Sequence, residues 1–135
     1  MRITAENFVV QEGARRFDIA GGNTAIALGN LDPVDIDRET NADIMMLFTV
    51  KVAQAPSSAV LSMIDASGTT ASTPVAMPVT GDYVRYGIPL KCFRDKGLDV
   101  TAVSQAFVLT TSGAADFNLG EVRLGMDAEQ VLPCG

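Results

Sequence analysis

The chain has 135 residues, 47% hydrophobic and 19% charged. That balance excludes a disordered tail or a coiled coil and suits a single domain, residues 1–135, that buries about two-thirds of its unfolded surface. A net charge of −6 with scattered Arg and Lys excludes a nucleic-acid partner, and the complete absence of His excludes Ser-His-Asp chemistry and His-containing zinc sites. No apolar run approaches the ~20 residues of a membrane helix, so no membrane partner is expected. The opening MRITAENF lacks the apolar middle of a secretion signal, so any such signal is expected to be removed or to sit elsewhere.

Apolar–polar alternation with a turn signal about every dozen residues predicts an all-β sandwich. The first strand is expected over RRFDIA (15–20), with Arg15, Phe17 and Ile19 on one side and Arg16 and Asp18 on the other. Gly21-Gly22-Asn23 marks a turn, and TAIAL (24–28) is a second short strand. Residues 30–41 hold Pro33 and several acids and read mainly as loop. IMMLFTVKV (44–52) is the most hydrophobic segment; as a strand it points Ile44, Met46, Phe48, Val50 and Val52 inward. Met45 and Leu47 then form a second apolar face, expected to be covered by a neighbouring loop or another domain. AVLSMI (59–64) is the next strand. DASGTTASTP (65–74) reads as an exposed, mobile loop without a core residue, and 75–79 as a short edge strand limited by Pro74 and Pro78.

The chain is organised around residues 82–111. Val84, Tyr86, Ile88 and Leu90 alternate inward, whereas Tyr83 and Arg85 point outward. Asp99 is positioned to cap one helical turn over 100–104. FVLTT (107–111) is the following strand and ADFNLGEVRL (115–124) the last. Phe117 and Leu119 share a parity that Val122 and Leu124 do not, so a bulge near Gly120 is required to keep all four inside.

Few groups invite chemistry. Asp32, Asp35, Asp37 and Glu39 form an acidic cluster, but no Asp-x-Asp-x-Asp-Gly loop accompanies them, so turn-forming Asp is the preferred reading over a calcium site. No cofactor is expected, with a structural calcium left as an open alternative. The loop DASGTT lacks the Gly-Lys-Ser/Thr ending of a phosphate cradle. Cys92 and Cys134 are either two buried free thiols or a disulfide. The tail position of Cys134, in Leu-Pro-Cys-Gly, favours the disulfide, because a terminal Cys is poorly placed for burial unless tethered. Such a bond would constrain the unfolded chain by about 4 kcal/mol and implies a periplasmic or extracellular setting. Without Trp, Tyr83 with Arg85 is the best exposed pair for sugar contact, followed by Arg16 with Asp18.

The segments YVRYGIPLKCF (83–93), GLDV (97–100), FVLT (107–110) and EVRL (121–124), together with QEGARRF (11–17) and RETNAD (38–43), resemble a known accessory domain. That domain closes certain bacterial exo-acting β-glucosidases of glycoside hydrolase family 3, which remove glucose from β-1,3- or β-1,4-glucans. The resemblance runs from about Gln11 to the Cys134 tail. It implies a galactose-binding-like, jelly-roll sandwich of two antiparallel sheets at the C-terminal end of a larger enzyme. The family's catalytic carboxylates lie in preceding domains and find no match here, so no catalytic residue is carried over. Members often carry Trp at the place of Tyr83. The implied partners are the catalytic domains of the same polypeptide, docked through Met45 and Leu47, and a β-glucan oligosaccharide. The alternatives are an autonomous carbohydrate-binding module, a free-standing hydrolase built on Asp and Glu, and a structural adhesion-like sandwich.

Overall fold

Period-two alternation, frequent Gly and Pro turns and β-branched runs give described residues in which strand far outweighs helix. In the computed structural model the described residues are 9–11, 15–28 and 33–134, with side chains described for 15–27 and 33–134. The elements are β1 (Val9–Gln11), β2 (Arg15–Ile19), β3 (Asn23–Leu28), α1 (Asp37–Asn41), β4 (Met45–Gln54), β5 (Ser58–Asp65) and β6 (Thr70–Pro74). After these come β7 (Val84–Pro89), α2 (Leu90–Arg94), β8 (Val103–Ser112), β9 (Ala115–Gly125) and β10 (Gln130–Val131).

Two sheets result. One has six strands in the order β1-β9-β4-β7-β10, with β2 also on β9; the other has four, in the order β3-β8-β5-β6. All pairings are antiparallel except that of β10 with β7, which is parallel. The inner faces meet through Met46, Phe48, Val50 and Val52 of β4, Phe117, Leu119 and Val122 of β9, and Leu61, Met63, Phe107 and Leu109 of the opposite sheet. Phe48 joins the layers, its ring 5.7 Å from that of Tyr86 in its own sheet and 5.8 Å from that of Phe107 across the core.

The irregularity expected near Gly120 is present. Val50 pairs with Leu119 and Phe48 with Val122, so β9 spends one residue more than β4. Phe117, Leu119 and Val122 are buried and Leu124 packs against the core.

Five readings are corrected, four of them in the loops and short elements. Residues 65–74 are not a mobile loop: only 66–69 turn, and Thr70–Pro74 is the edge strand, with Ala71 and Thr73 buried. Residues 75–79 form no strand, although Val75 and Met77 are buried. The helix after β7 is α2, directly behind Pro89, whereas 100–102 only turn; Asp99 still caps that turn, accepting from the Thr101 backbone N–H at 3.0 Å. Within 33–41, Val34 and Ile36 are core residues tied to Val103 and Val100 by backbone hydrogen bonds, and α1 follows. Asp35 Oδ1 accepts from the Asp37 backbone N–H, a turn-forming role; Asp32 lies outside the described residues.

Met45 and Leu47 require the largest correction. Both face away from the core, but both are buried under the chain's own C-terminal segment, so neither is free to dock on another domain. After β9 the chain turns back across this face. The Glu129 N–H donates to Arg85 O at 2.9 Å and the Leu132 N–H to Gly87 O at 2.8 Å. A methyl group at Gly87 would lie 2.7 Å from Ala128 Cβ and 3.0 Å from both Leu47 Cδ2 and Met45 Sδ. The segment ends at α2, where Cys134 is disulfide-bonded to Cys92 with the Cα atoms 5.4 Å apart.

The two outer faces differ in charge. The four strands β3, β5, β6 and β8 contain a single charged residue, Asp65, and it is buried. Its Oδ1 accepts from the Ser67 hydroxyl at 2.6 Å and from the Ser67 and Thr69 backbone N–H groups at 3.0 Å, and its Oδ2 accepts from the Asp99 N–H at 2.9 Å. The Ser67 hydroxyl, then the Asp99 N–H, hold this carboxyl below the usual aspartate range.

Truncating Phe48 to Ala removes the ring that bridges the sheets, and urea unfolding should register a loss of about 3–5 kcal/mol. Asp65→Asn should also destabilise the protein, in a pH-dependent way. The folded pKa is lowered, so the native carboxylate stabilises the fold above about pH 4 and loses that effect as pH falls through its depressed value. The gap between native and variant midpoints should therefore be full near neutrality and close as pH falls through the depressed Asp65 value; a gap independent of pH would refute the assignment.

Candidate functional site on the outer face of the six-stranded sheet

Beyond Met45 and Leu47, the outward side chains of β2, β9, β4 and β7 are mostly polar where those of the other sheet are small and neutral. Register sets their neighbours. Arg16 of β2 stands opposite Asn118 of β9, and Asn118 stands opposite Lys51 of β4. Asp18 stands opposite Asp116, and Thr49 opposite Arg85. Tyr83 immediately precedes β7, shares the parity of Arg85 and is 39% exposed. From Arg16 to Tyr83 this open row crosses three strand spacings, about 14 Å.

Arg16 is held, not loose. Its Nε and Nη2 donate to the two carboxylate oxygens of Asp116 at 3.0 and 2.8 Å, and Asp18 lies 3.9 Å from Nη2. This forked geometry fixes the guanidinium plane. The hydrogen bond to Asp116 raises the Arg16 pKa, and the same bond lowers that of Asp116, so both stay ionised through the physiological range.

The C-terminal segment closes the other half of the face. Asp127 accepts from Arg85 Nη1 at 2.9 Å and from Arg123 Nη2 at 2.7 Å, and Glu129 Oε1 accepts from the Arg85 N–H at 3.1 Å. The Arg123 bond, with a smaller contribution from the charge of Arg85, holds the Asp127 carboxyl below its ordinary value.

Of the residues singled out from sequence, Arg16, Asp18 and Tyr83 therefore lie on one open face, at opposite ends of the row. Arg85 is only half available because Asp127 engages it. Asp116, Asn118 and Lys51 complete the row and were not singled out, although each alternates with a core residue. Among the described residues no group of three or more His, Cys, Asp or Glu is placed to hold a metal ion, and no helix is long and apolar enough to cross a membrane. The arrangement offers fixed hydrogen-bond donors and acceptors beside one exposed aromatic ring, which suits a neutral ligand rich in hydroxyl groups.

Residues 1–124 match the Exop_C family, described as galactose-binding domain-like. The extra C-terminal domain of an exo-1,3/1,4-β-glucanase (ExoP) from a Pseudoalteromonas species superposes with a TM-score of 0.66 at 18% identity, over 93% of this chain and 71% of that one. In the structure of the glucanase itself the corresponding values are 0.60 and 19%, and the chain spans 93% of its own length but 16% of the enzyme's. The family 30 carbohydrate-binding module of a Clostridium thermocellum cellulosomal cellulase (Cel9D-Cel44B) gives 0.67 at 14% identity, over 84% and 75% of the two chains. An agarase, AgWH50C, gives 0.64 at 14% identity, covering 80% of this chain and 20% of the agarase. These likenesses show a shared fold. No curated protein matches the chain.

Proposed function

The chain belongs to the Exop_C family of galactose-binding domain-like proteins, and from that premise we propose that it is the non-catalytic C-terminal accessory domain of a glycoside hydrolase family 3 exo-β-glucanase or β-glucosidase. The family match over 124 of 135 residues carries this reading. The likeness to the extra C-terminal domain of a glucanase supports it, as does the small fraction of that enzyme the chain spans. Its partners are the catalytic domains of the same polypeptide and a β-glucan oligosaccharide. The disulfide supports a periplasmic or extracellular location.

Glucan lies on the open row, with a sugar ring against Tyr83 and hydroxyls reaching Lys51, Asn118, Arg16 and Asp18. The second reading is an autonomous carbohydrate-binding module, favoured by the superposition on the family 30 module. Binding does not require a catalytic domain in that case.

Isothermal titration of the chain with laminarin and cello-oligosaccharides tests the sugar contact. Saturable heat in the millimolar range or tighter is expected, about tenfold weaker in Tyr83→Ala, equivalent to roughly 1.4 kcal/mol. No heat with either glucan would remove sugar binding and leave docking alone. Turnover of an aryl β-glucoside by the purified chain, abolished by one carboxylate substitution, would overturn the non-catalytic assignment.

A further inference from the structure

From Met126 the chain crosses the outer face over β4 and β7, then runs along the edge of β7 as β10 and on to Cys134; this segment is a strap. Its non-covalent hold is slight. Two residues pair with β7, two further backbone bonds reach Arg85 and Gly87, the Glu129 carboxylate accepts from the Arg85 N–H, and Asp127 engages Arg85 and Arg123 at an exposed position. Met126 and Val131 are 64% and 58% exposed, so the strap buries little of itself. Only Leu132 joins the core cluster, which is otherwise built from the two sheets, α2 and the loops between them. What fixes the far end is the bond from Cys134 to Cys92, whose own side chain is buried in α2.

We propose that residues 126–134 are a disulfide-latched strap: the Cys92–Cys134 bond holds the segment on the sheet, and its reduction lifts the segment while the sandwich beneath stays folded. A dithiol reductant supplies two electrons and two protons. The S–S bond breaks, Cys92 and Cys134 become thiols, and the reductant closes its own disulfide. Without the tether the few exposed contacts compete with water and with the conformational freedom of the released segment. Lifting uncovers Met45, Leu47 and the Gly87 edge of β7, an apolar face that the strap normally shields.

Adjacent methionines provide the readout, since Met45 lies under the strap and Met46 lies in the core. The full chain and its Cys134→Ser variant are exposed to hydrogen peroxide, and sulfoxide at each methionine is localised by fragment-ion mass spectrometry. Met126, already 64% exposed, should oxidise fast in both and reports delivery of the peroxide. In the native chain Met45 and Met46 should both react slowly. In the variant Met45 should react at least tenfold faster while Met46 is unchanged. Amide exchange at Glu129 and Leu132 should accelerate in the same way when the native chain is treated with dithiothreitol. Met45 remaining as slow as in the native chain would overturn the proposal, because the strap would then hold without its bond. Met45 and Met46 accelerating together would overturn it equally, because the bond would then be holding the sandwich itself.

Discussion

The pairing of β4 with β9 is the constraint on which the rest of the molecule depends. These two long strands form the middle of the six-stranded sheet and carry most of its inward apolar side chains. Everything polar on the opposite side is positioned by their register. The extra residue of β9 around Gly120 reconciles two runs of core residues that are out of phase. Without that step, Val122 and Leu124 would face water, or Phe117 and Leu119 would. The bulge therefore decides which β9 residues form the open row and which lie near the C-terminal strap.

Much of this was legible from alternation. The strands of 15–20, 24–28, 44–52, 59–64, 84–90 and 115–124 follow from apolar residues two apart, and the bulge follows from a change in their parity. Thr70–Pro74 gave no such signal. Thr, Ala, Ser and Thr carry little hydrophobic contrast, and Ala71 and Thr73 are buried because β5 and the segment behind it supply the apolar surface. The five-residue helices α1 and α2 are too short to show a helical period. The burial of Met45 and Leu47 was half legible: their apolar character announced a cover, but a cover drawn from the far end of the chain leaves no local mark.

The candidate site divides along the same line. Arg16, Asp18 and Tyr83 follow from outward parity on single strands. That Arg16, Asn118 and Lys51 form one row depends on which strands are neighbours, and alternation does not encode neighbours. Arg85 shows the converse. Its exposure was a fair expectation from its own strand, and an acid forty-two positions away removes half of it.

The four-stranded sheet, with its lone and sequestered carboxylate, gives the domain two broad sides of unequal hydration. Full charges gather at Arg16, Asp18, Lys51 and Asp116, where stripping solvent is expensive. Over Ala25, Val60, Ser62, Val108 and Thr110 there is only backbone, hydroxyl and methyl to dehydrate. Raising ionic strength therefore perturbs one side of this molecule and leaves the other nearly indifferent.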